Sequence, residues 1–269
     1  MFRVSDVVAT RLTSDFVLRV SDFKGINMAS KAKKTGMIYG IGVGPGDPDL
    51  VTMKAVKALK KVDFVFEAAS ASEKESIAGR IAKKYYSKSA KLMTLVFPMV
   101  NDARTRNDAW KKNAGIVAGR LLSGHDCAFV TIGDPMIYST CSYLLAELRK
   151  LIPSLKSEII PGITSFQTAA AKCQEPLVED RETLTVIPSF STETLKELKK
   201  HESGTLVLMK AYRTKKEITA YVKETGYNAI FASRLCLKGE IVTSDICLAE
   251  KSPDEYLSLF IIKKQSKDA

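Results

Sequence analysis

A stiff loop between a predicted buried strand and a predicted helix constrains the fold of this chain more than any other stretch. The loop spans residues 131–140 and reads TIGDPMIYST; an apolar run, 127–130, precedes it and a helical apolar pattern, 142–148, follows. Gly133 allows close backbone approach and Pro135 fixes a turn angle. Open α/β sheets bind ligands at such connections. The stretch therefore predicts a ligand-binding loop, with a purely structural turn as the alternative.

A second glycine-rich loop, residues 40–48, follows the predicted first strand, 37–41. A helix and a strand ending at Glu67 come next, which makes a βαβ unit. This order is also that of a Rossmann nucleotide site, in which Glu67 would bind a ribose. The G-x-G-x-x-G spacing fails, because proline and aspartate stand where the third glycine would be. A G-x-G-x-G spacing typical of Rossmann methyltransferases remains at Gly40, Gly42 and Gly44, so that interpretation stays open.

Strands and helices alternate up to about residue 150, which predicts a mostly parallel sheet with helices on both faces. The segment 151–154, LIPS, interrupts this pattern and marks a domain boundary. A short strand at 158–160 then leads into a third loop, 161–165, that opens a helix. Further strands are expected at 184–187, 205–209, 229–235, 240–248 and 256–262, the last three without long helices between them. The sequence therefore predicts an α/β protein with domains 37–152 and 153–269, the second built on a mixed sheet.

The first 36 residues form a separate, basic N-terminal extension, which we expect to be disordered. The net charge of the chain is +11, of which +4 lies in this extension and +7 in residues 37–269. A basic surplus favours an anionic partner, which could be nucleic acid, a membrane surface or a polycarboxylate. A solvated lysine-rich surface is the alternative, so charge by itself does not identify the partner.

Composition argues against several classes of protein. No apolar run approaches the ~18 residues of a membrane span, and the N-terminal residues lack the apolar core of a secretory signal, so we expect a cytoplasmic protein without membrane contact. The five cysteines are scattered and odd in number, which argues against a disulfide framework. With only two histidines, the sequence predicts no protein-bound metal.

The three loops, in their order and separation, resemble those of the tetrapyrrole methylase superfamily. The motifs are GVGPGDP at 42–48, GDPMIY at 133–138 and PGITS at 161–165. A finer likeness, to members that methylate carbon 20 of precorrin-2 or cobalt-factor II in cobalamin synthesis, rests on FPM at 97–99 with Trp110 after it, IGDPMIYST at 132–140, SFQ at 165–167 and VLMK at 207–210. The resemblance spans residues 37 to about 262.

The resemblance implies a homodimer of two-domain subunits that hold S-adenosylmethionine, and its product S-adenosylhomocysteine, in a cleft between the domains. Such enzymes bind the methyl donor largely through loop backbone. The matching donor-binding positions here are Pro45, Gly133, Asp134, Ile137, Thr164, Ser165 and Met209. A last contact is expected near Ala229 or Val242–Thr243.

The implied substrate is an anionic tetrapyrrole with acetate and propionate arms, for which Arg181 and Arg213 are candidate carboxylate ligands. The sulfonium methyl is already activated, so transfer needs alignment and exclusion of water and no nucleophilic side chain. Carbon 20 must afterwards lose a proton, and Tyr138, Glu67 or a water are candidate bases. The catalytic residue therefore stays unassigned.

Other functions inside and outside this family stay open. Related enzymes methylate other ring carbons, the diphthamide precursor or a ribose of ribosomal RNA. The sequence lacks the interleaved aromatic and basic residues of an RNA-binding surface, so we expect no nucleic-acid partner. A non-catalytic ligand-binding homologue is a further alternative. The sequence does not decide whether the substrate carries cobalt.

Overall fold

The sheet of the N-terminal half is fully parallel. The computed structural model describes residues 34–69, 76–98, 100, 102–188 and 204–264; residues 1–33 of the predicted extension lie outside these ranges. Strands β1 to β5 span Met37–Gly42, Phe64–Ala69, Lys91–Val96, Cys127–Thr131 and Lys156–Ile160. Their order is β3-β2-β4-β1-β5, and every neighbouring pair is parallel. The predicted parallel sheet is confirmed.

Helices cover both faces of this sheet. They are α1 (Met53–Leu59), α2 (Ile77–Ala82), α3 (Ala103–Leu122) and α4 (Thr140–Leu151). Alternate strand residues point to opposite faces, so Phe64 and Phe66 share a core with α3 and α4 while Val65 shares one with α1 and α2. This two-sided burial explains why the central strand β4, CAFVT, is almost continuously apolar, whereas the edge strands β3 and β5 carry polar residues. Across the described residues, no helix has both the length and the apolar character to cross a membrane.

The second sheet is mixed, as predicted. Strands β6 to β10 span Leu184–Pro188, Gly204–Met209, Asn228–Ser233, Ile241–Thr243 and Ser258–Lys264. Their order is β6-β7-β10-β8-β9; β6 and β7 are parallel and the other pairs antiparallel. Helix α5 (Ser165–Cys173) packs on one face, and α6 (Lys215–Thr225) and α7 (Ile246–Lys251) pack on the other.

One predicted strand is wrong, and the predicted domain boundary stays a prediction. The strand expected at 240–248 ends at Thr243, because the carboxylate of Asp245 accepts hydrogen bonds from the N–H groups of Cys247 and Leu248 and thereby starts α7. The boundary expected at 152/153 falls before β5, which pairs with β1 and so belongs to the first sheet. The chain passes from the first sheet toward the second only after Ile160.

Candidate active site

Three loops meet at one edge of the parallel sheet. Strands β4, β1 and β5 are neighbours, so their carboxyl ends lie side by side. The loop at 43–47 follows β1, the loop at 132–139 follows β4, and the loop at 161–164 follows β5. The strand order thus brings together three motifs that are far apart in sequence, at the edge where α/β sheets bind ligands.

Backbone hydrogen bonds lock the first two loops together at Gly133. The N–H of Gly133 donates to the carbonyl oxygen of Gly44 (N···O 2.8 Å), and Gly44 N–H donates back to the Gly133 carbonyl oxygen at 3.3 Å. Gly133 has φ +67°, in the left-handed region that favours glycine. A Cβ at this position would meet no atom within 4 Å. The bare backbone of Gly133 therefore faces open space, as contact between a ligand and the loop backbone would require.

The carboxylate of Asp134 joins the second loop to the third. Its Oδ2 accepts a hydrogen bond from Gly162 N–H at 3.0 Å, and its Oδ1 accepts one from Met136 N–H at 2.8 Å. Gly162 packs so closely that a Cβ there would overlap the carbonyl oxygen of Gly133. The three loops therefore form one rigid cradle.

The cradle is one wall of a cavity of about 580 Å³. That volume lies within the roughly 300–1,000 Å³ usual for small-molecule sites. Residues of the second sheet line the opposite wall, among them Met209 and Leu259. All seven residues predicted for donor binding line this one cavity: Pro45, Gly133, Asp134, Ile137, Thr164, Ser165 and Met209. Their role in binding a methyl donor stays a prediction.

Two hydroxyl side chains of the loops serve the helices that follow. Ser139 Oγ accepts from Cys141 N–H at 3.2 Å and caps α4. Thr164 Oγ1 accepts from Gln167 N–H, and Gln167 Oε1 accepts from Thr164 N–H at 3.0 Å, which is a capping box for α5. The Thr164 hydroxyl is thus engaged in capping, and its backbone is what it offers to a ligand.

The other sequence candidates fall in different places. Tyr138 and Arg213 line the cavity, whereas Glu67 and Arg181 are not among the described residues that do. Glu67 Oε1 instead accepts a hydrogen bond from the Tyr86 hydroxyl at 3.0 Å. Burial, and next the charge of Glu67, raises the pKa of Tyr86 well above its ordinary value. Glu67 therefore belongs to a structural pair behind the cavity, which argues against the ribose-binding interpretation.

The last donor contact expected near Ala229 or Val242–Thr243 stays a prediction. Ala229, Val242 and Thr243 line a separate groove beside α5 and β9. Leu235, two residues beyond β8, lines the cavity instead.

Several cavity residues were missed from the sequence. Phe97 belongs to the FPM motif, whose Met99 lies outside the described residues. Lys210 ends the VLMK motif. For Phe97 and Lys210, the signal in the sequence was therefore that each belongs to a subfamily motif. Tyr212 and Tyr256 carried no such signal, because neither belongs to a motif in the sequence; Tyr212 lies in the turn Ala211–Arg213 and Tyr256 lies two residues before β10.

The chemistry that this site offers is binding and alignment. Burial, and next the charge of Asp134, raises the pKa of the Cys141 thiol to about 12, so this cysteine beside the loop remains neutral and is a poor nucleophile. Within the described ranges, no three His, Cys, Asp or Glu side chains are grouped as a metal site would need. A mostly apolar cavity with a few fixed polar backbone groups suits a preformed small-molecule site.

The chain belongs to the tetrapyrrole (corrin/porphyrin) methylases: a sequence profile of that family matches residues 37–246. The cobalt-precorrin-2 C(20)-methyltransferase of Salmonella typhimurium is 31% identical over 235 residues, which cover 86% of this chain and 97% of that protein. The probable cobalt-precorrin-2 C(20)-methyltransferase of Methanocaldococcus jannaschii is 35% identical over 232 residues, or 84% of this chain and 96% of that protein.

Solved structures share the fold at lower sequence identity. The crystal structure of a cobalt precorrin-4 methyltransferase has a TM-score of 0.66 at 20% identity and covers 88% of this chain and 98% of its own. The uroporphyrin-III C-methyltransferase of Thermus thermophilus, complexed with S-adenosylhomocysteine, has a TM-score of 0.60 at 17% identity and covers 85% of this chain and 98% of its own. The two-sheet α/β architecture is therefore that of known tetrapyrrole methylases.

Proposed function

We propose that this chain is an S-adenosylmethionine-dependent methyltransferase that methylates carbon 20 of precorrin-2 or its cobalt form in cobalamin biosynthesis. The observation that carries the proposal is the convergence of all three loop motifs on one cavity. The relatives in Salmonella and Methanocaldococcus, which this chain covers almost completely, support carbon 20 as the acceptor.

The residues present fit S-adenosylmethionine as the bound donor. The cavity volume is adequate, the wall is mostly apolar, and Gly133 presents backbone with open space beside it. Pro45, Ile137 and Met209 would contact the donor together with the loop backbone. When bound, the donor supplies an activated methyl group on a positively charged sulfur. The S-adenosylhomocysteine in the related Thermus structure supports the same assignment.

The chain's own residues would align donor and acceptor and exclude water. The rigid cradle limits donor movement, which favours an in-line displacement. Tyr138 is one candidate base for the carbon-20 proton, but its hydroxyl donates a hydrogen bond to the carbonyl oxygen of Val186, with the two oxygens 2.9 Å apart. Glu67 lies in the pair with Tyr86. A water is therefore the base that we favour.

We further propose that the active form is a homodimer located in the cytoplasm and that the substrate is an anionic tetrapyrrole. The net positive charge of residues 37–269 supports an anionic substrate. Sedimentation of the purified protein tests the dimer, and a monomer at micromolar concentration would contradict it. Fractionation of the source cells tests the location.

Calorimetric titration with S-adenosylhomocysteine, followed by mass spectrometry of precorrin-2 and of its cobalt form after incubation with labelled donor, tests the function. We expect micromolar binding and the gain of one methyl group by one of the two rings. Binding without methylation of either ring would indicate a different acceptor. Absence of binding would contradict the assignment of this cavity as a donor site, and the three loops would then be structural turns.

A further inference from the structure

Two cationic side chains line the cavity just beyond the end of β7. Lys210 follows Met209 and has φ +59°, and its N–H donates to the carbonyl oxygen of Ser258 at 2.8 Å. The chain leaves the sheet at this left-handed residue and enters a short 3-10 turn, Ala211–Arg213. Because of this turn, Lys210 and Arg213 both face the same cavity.

Each cation lies over a tyrosine ring. Lys210 Nζ is 5.5 Å from the centroid of the Tyr256 ring, and Arg213 Cζ is 5.3 Å from that of Tyr212. The two rings meet edge to face with their centroids 5.8 Å apart. Such cation–π contacts hold a cation in position without neutralising its charge. In the part of the chain that the structure describes, neither cation forms an ion pair with a carboxylate.

The cavity as a whole has a surplus of positive charge. Asp134 is the one acidic residue among the described residues that line it, and both its oxygens accept backbone hydrogen bonds. Two cations without carboxylate partners in a partly enclosed site favour an anionic ligand. Lysine and arginine bind carboxylates through charge-assisted hydrogen bonds, which are stronger than neutral ones.

The segment that carries Tyr256 is anchored to the second sheet. The buried ammonium of Lys215 donates to the Ser252 carbonyl oxygen and pairs with Asp254 Oδ1 at 2.9 Å. The guanidinium of Arg234 lies 3.3 Å from Glu255 Oε2. These contacts restrain the residues before Tyr256, so the ring beneath Lys210 is held in place before a ligand arrives.

We propose that Lys210 and Arg213, supported by Tyr256 and Tyr212, bind carboxylate arms of the tetrapyrrole and select polycarboxylate rings as substrates. This inference rests on the proposed methyltransferase function. A carboxylate ligand could also be that of the methionine part of the donor. We assign the pair to the ring because six of the seven expected donor positions lie on the opposite wall, in or directly after the loops that follow β1, β4 and β5; the seventh, Met209, stands beside Lys210.

Equilibrium binding to the full chain tests the assignment without requiring turnover. The variants are Lys210→Gln, Arg213→Gln and the double variant, with Lys216→Gln as the control because it removes the same charge from an exposed position of α6. The probes are uroporphyrin, a stable ring with acetate and propionate arms, followed by fluorescence, and S-adenosylhomocysteine, followed by calorimetry. We expect the Kd for uroporphyrin to rise about ten-fold for each single variant and more for the double one. The Kd for S-adenosylhomocysteine should be unchanged throughout.

Two further variants separate charge from structure. Lys210→Arg and Arg213→Lys keep the charge, so uroporphyrin binding should be largely retained. The inference is overturned if the Gln variants bind uroporphyrin like the control, or if they lose S-adenosylhomocysteine in proportion, which would assign the pair to the donor. Uroporphyrin binding does not depend on methyl transfer, so the two proposals can fail separately. If the protein binds the ring and the donor normally but methylates neither ring form, the proposed function is contradicted and this assignment stands.

Discussion

The Asp134 carboxylate accepts a hydrogen bond from the backbone N–H of Gly162, with the two atoms 3.0 Å apart. These residues lie in loops that follow different strands, β4 and β5, and Gly162 also packs directly on the Gly133 carbonyl. Asp134, the acidic residue of the GDP motif, therefore holds the second and third loops in fixed relative positions. We expect any contribution of Asp134 to ligand binding to come from fixing the shape of the backbone that surrounds the cavity.

Replacing Asp134 by alanine should weaken donor binding and leave the fold intact. The substitution removes the acceptor of two backbone hydrogen bonds, one exposed and one part-buried and each worth about 0.5–1.5 kcal/mol, and the loops lose their relative position. We expect the Kd for S-adenosylhomocysteine, measured by calorimetry, to rise at least about ten-fold. Asp134→Asn retains one acceptor oxygen and should show a smaller loss. Unchanged affinity in the alanine variant would show that the site is wrongly assigned.

Replacing Gly133 by alanine should abolish donor binding through the added methyl group itself. The left-handed φ costs an L-residue roughly 1–2 kcal/mol, and the new Cβ would point into the open space beside the loop. Gly226→Ala is a matched control, because Gly226 has φ +66°, ends α6 and likewise has no atom within 4 Å of a built Cβ.

Thermal unfolding and calorimetry of the two glycine variants separate the two effects of the added methyl group, which are backbone strain and obstruction of the donor site. Both variants should lose similar stability, and only Gly133→Ala should lose affinity for S-adenosylhomocysteine. Equal loss of affinity in both would attribute the effect to general destabilisation.

The architecture and the three loops could be predicted because their signals are local. Apolar runs mark buried strands, and glycine and proline mark the loops between them. Once β4, β1 and β5 are neighbours, the convergence of the motifs follows from strand direction. Their distances along the sequence are irrelevant to that convergence.

The features that the sequence did not reveal have two origins, tertiary pairing and an overlooked local helix cap. The 158–160 strand follows a proline-containing break, yet it pairs with β1, which no local signal reveals. Residues 246–248 are apolar enough for a strand, but the cap at Asp245 starts a helix there. The left-handed Lys210 is held by the carbonyl of Ser258 on a distant strand, so its position at the cavity could not be read from the VLMK motif.

Replacing Tyr138 by phenylalanine should preserve most of the catalytic rate. The Tyr138 hydroxyl donates to the carbonyl oxygen of Val186 in β6, so it links the second loop to the second sheet and is not poised to accept a proton. Loss of this partly exposed bond should cost about 0.5–1.5 kcal/mol, which predicts less than about a ten-fold loss of kcat/KM.

The pH dependence of kcat shows whether Tyr138 has only this structural role or also acts as the catalytic base. Tyr143→Phe is the control, because Tyr143 is half-exposed and stacks on Trp110 away from the cavity. If Tyr138→Phe instead removed most of kcat together with one limb of the pH–rate profile, Tyr138 would be the base.

The ion pair between Lys215 and Asp254 should stabilise the fold near neutral pH and lose this effect in acid. The Asp254→Asn substitution should remove that contribution to the pH dependence. The hydrogen bond from Lys215, and next its positive charge, hold the pKa of Asp254 below its ordinary value of 3.8. Because the folded-state pKa is the lower one, the ionised carboxylate stabilises the fold above 3.8, and this contribution is lost as the pH falls through the folded value.

The free energy of unfolding in urea, measured for wild type and Asp254→Asn near neutral pH and at several values below 3.8, tests this expectation. The difference between the two proteins should be largest near neutral pH and should shrink toward zero in acid. Asp108→Asn, at an exposed position of α3, is the control and should parallel the wild type. A difference that stays constant with pH would mean that the Asp254 side chain stabilises the fold by packing or hydrogen bonding alone, without its charge.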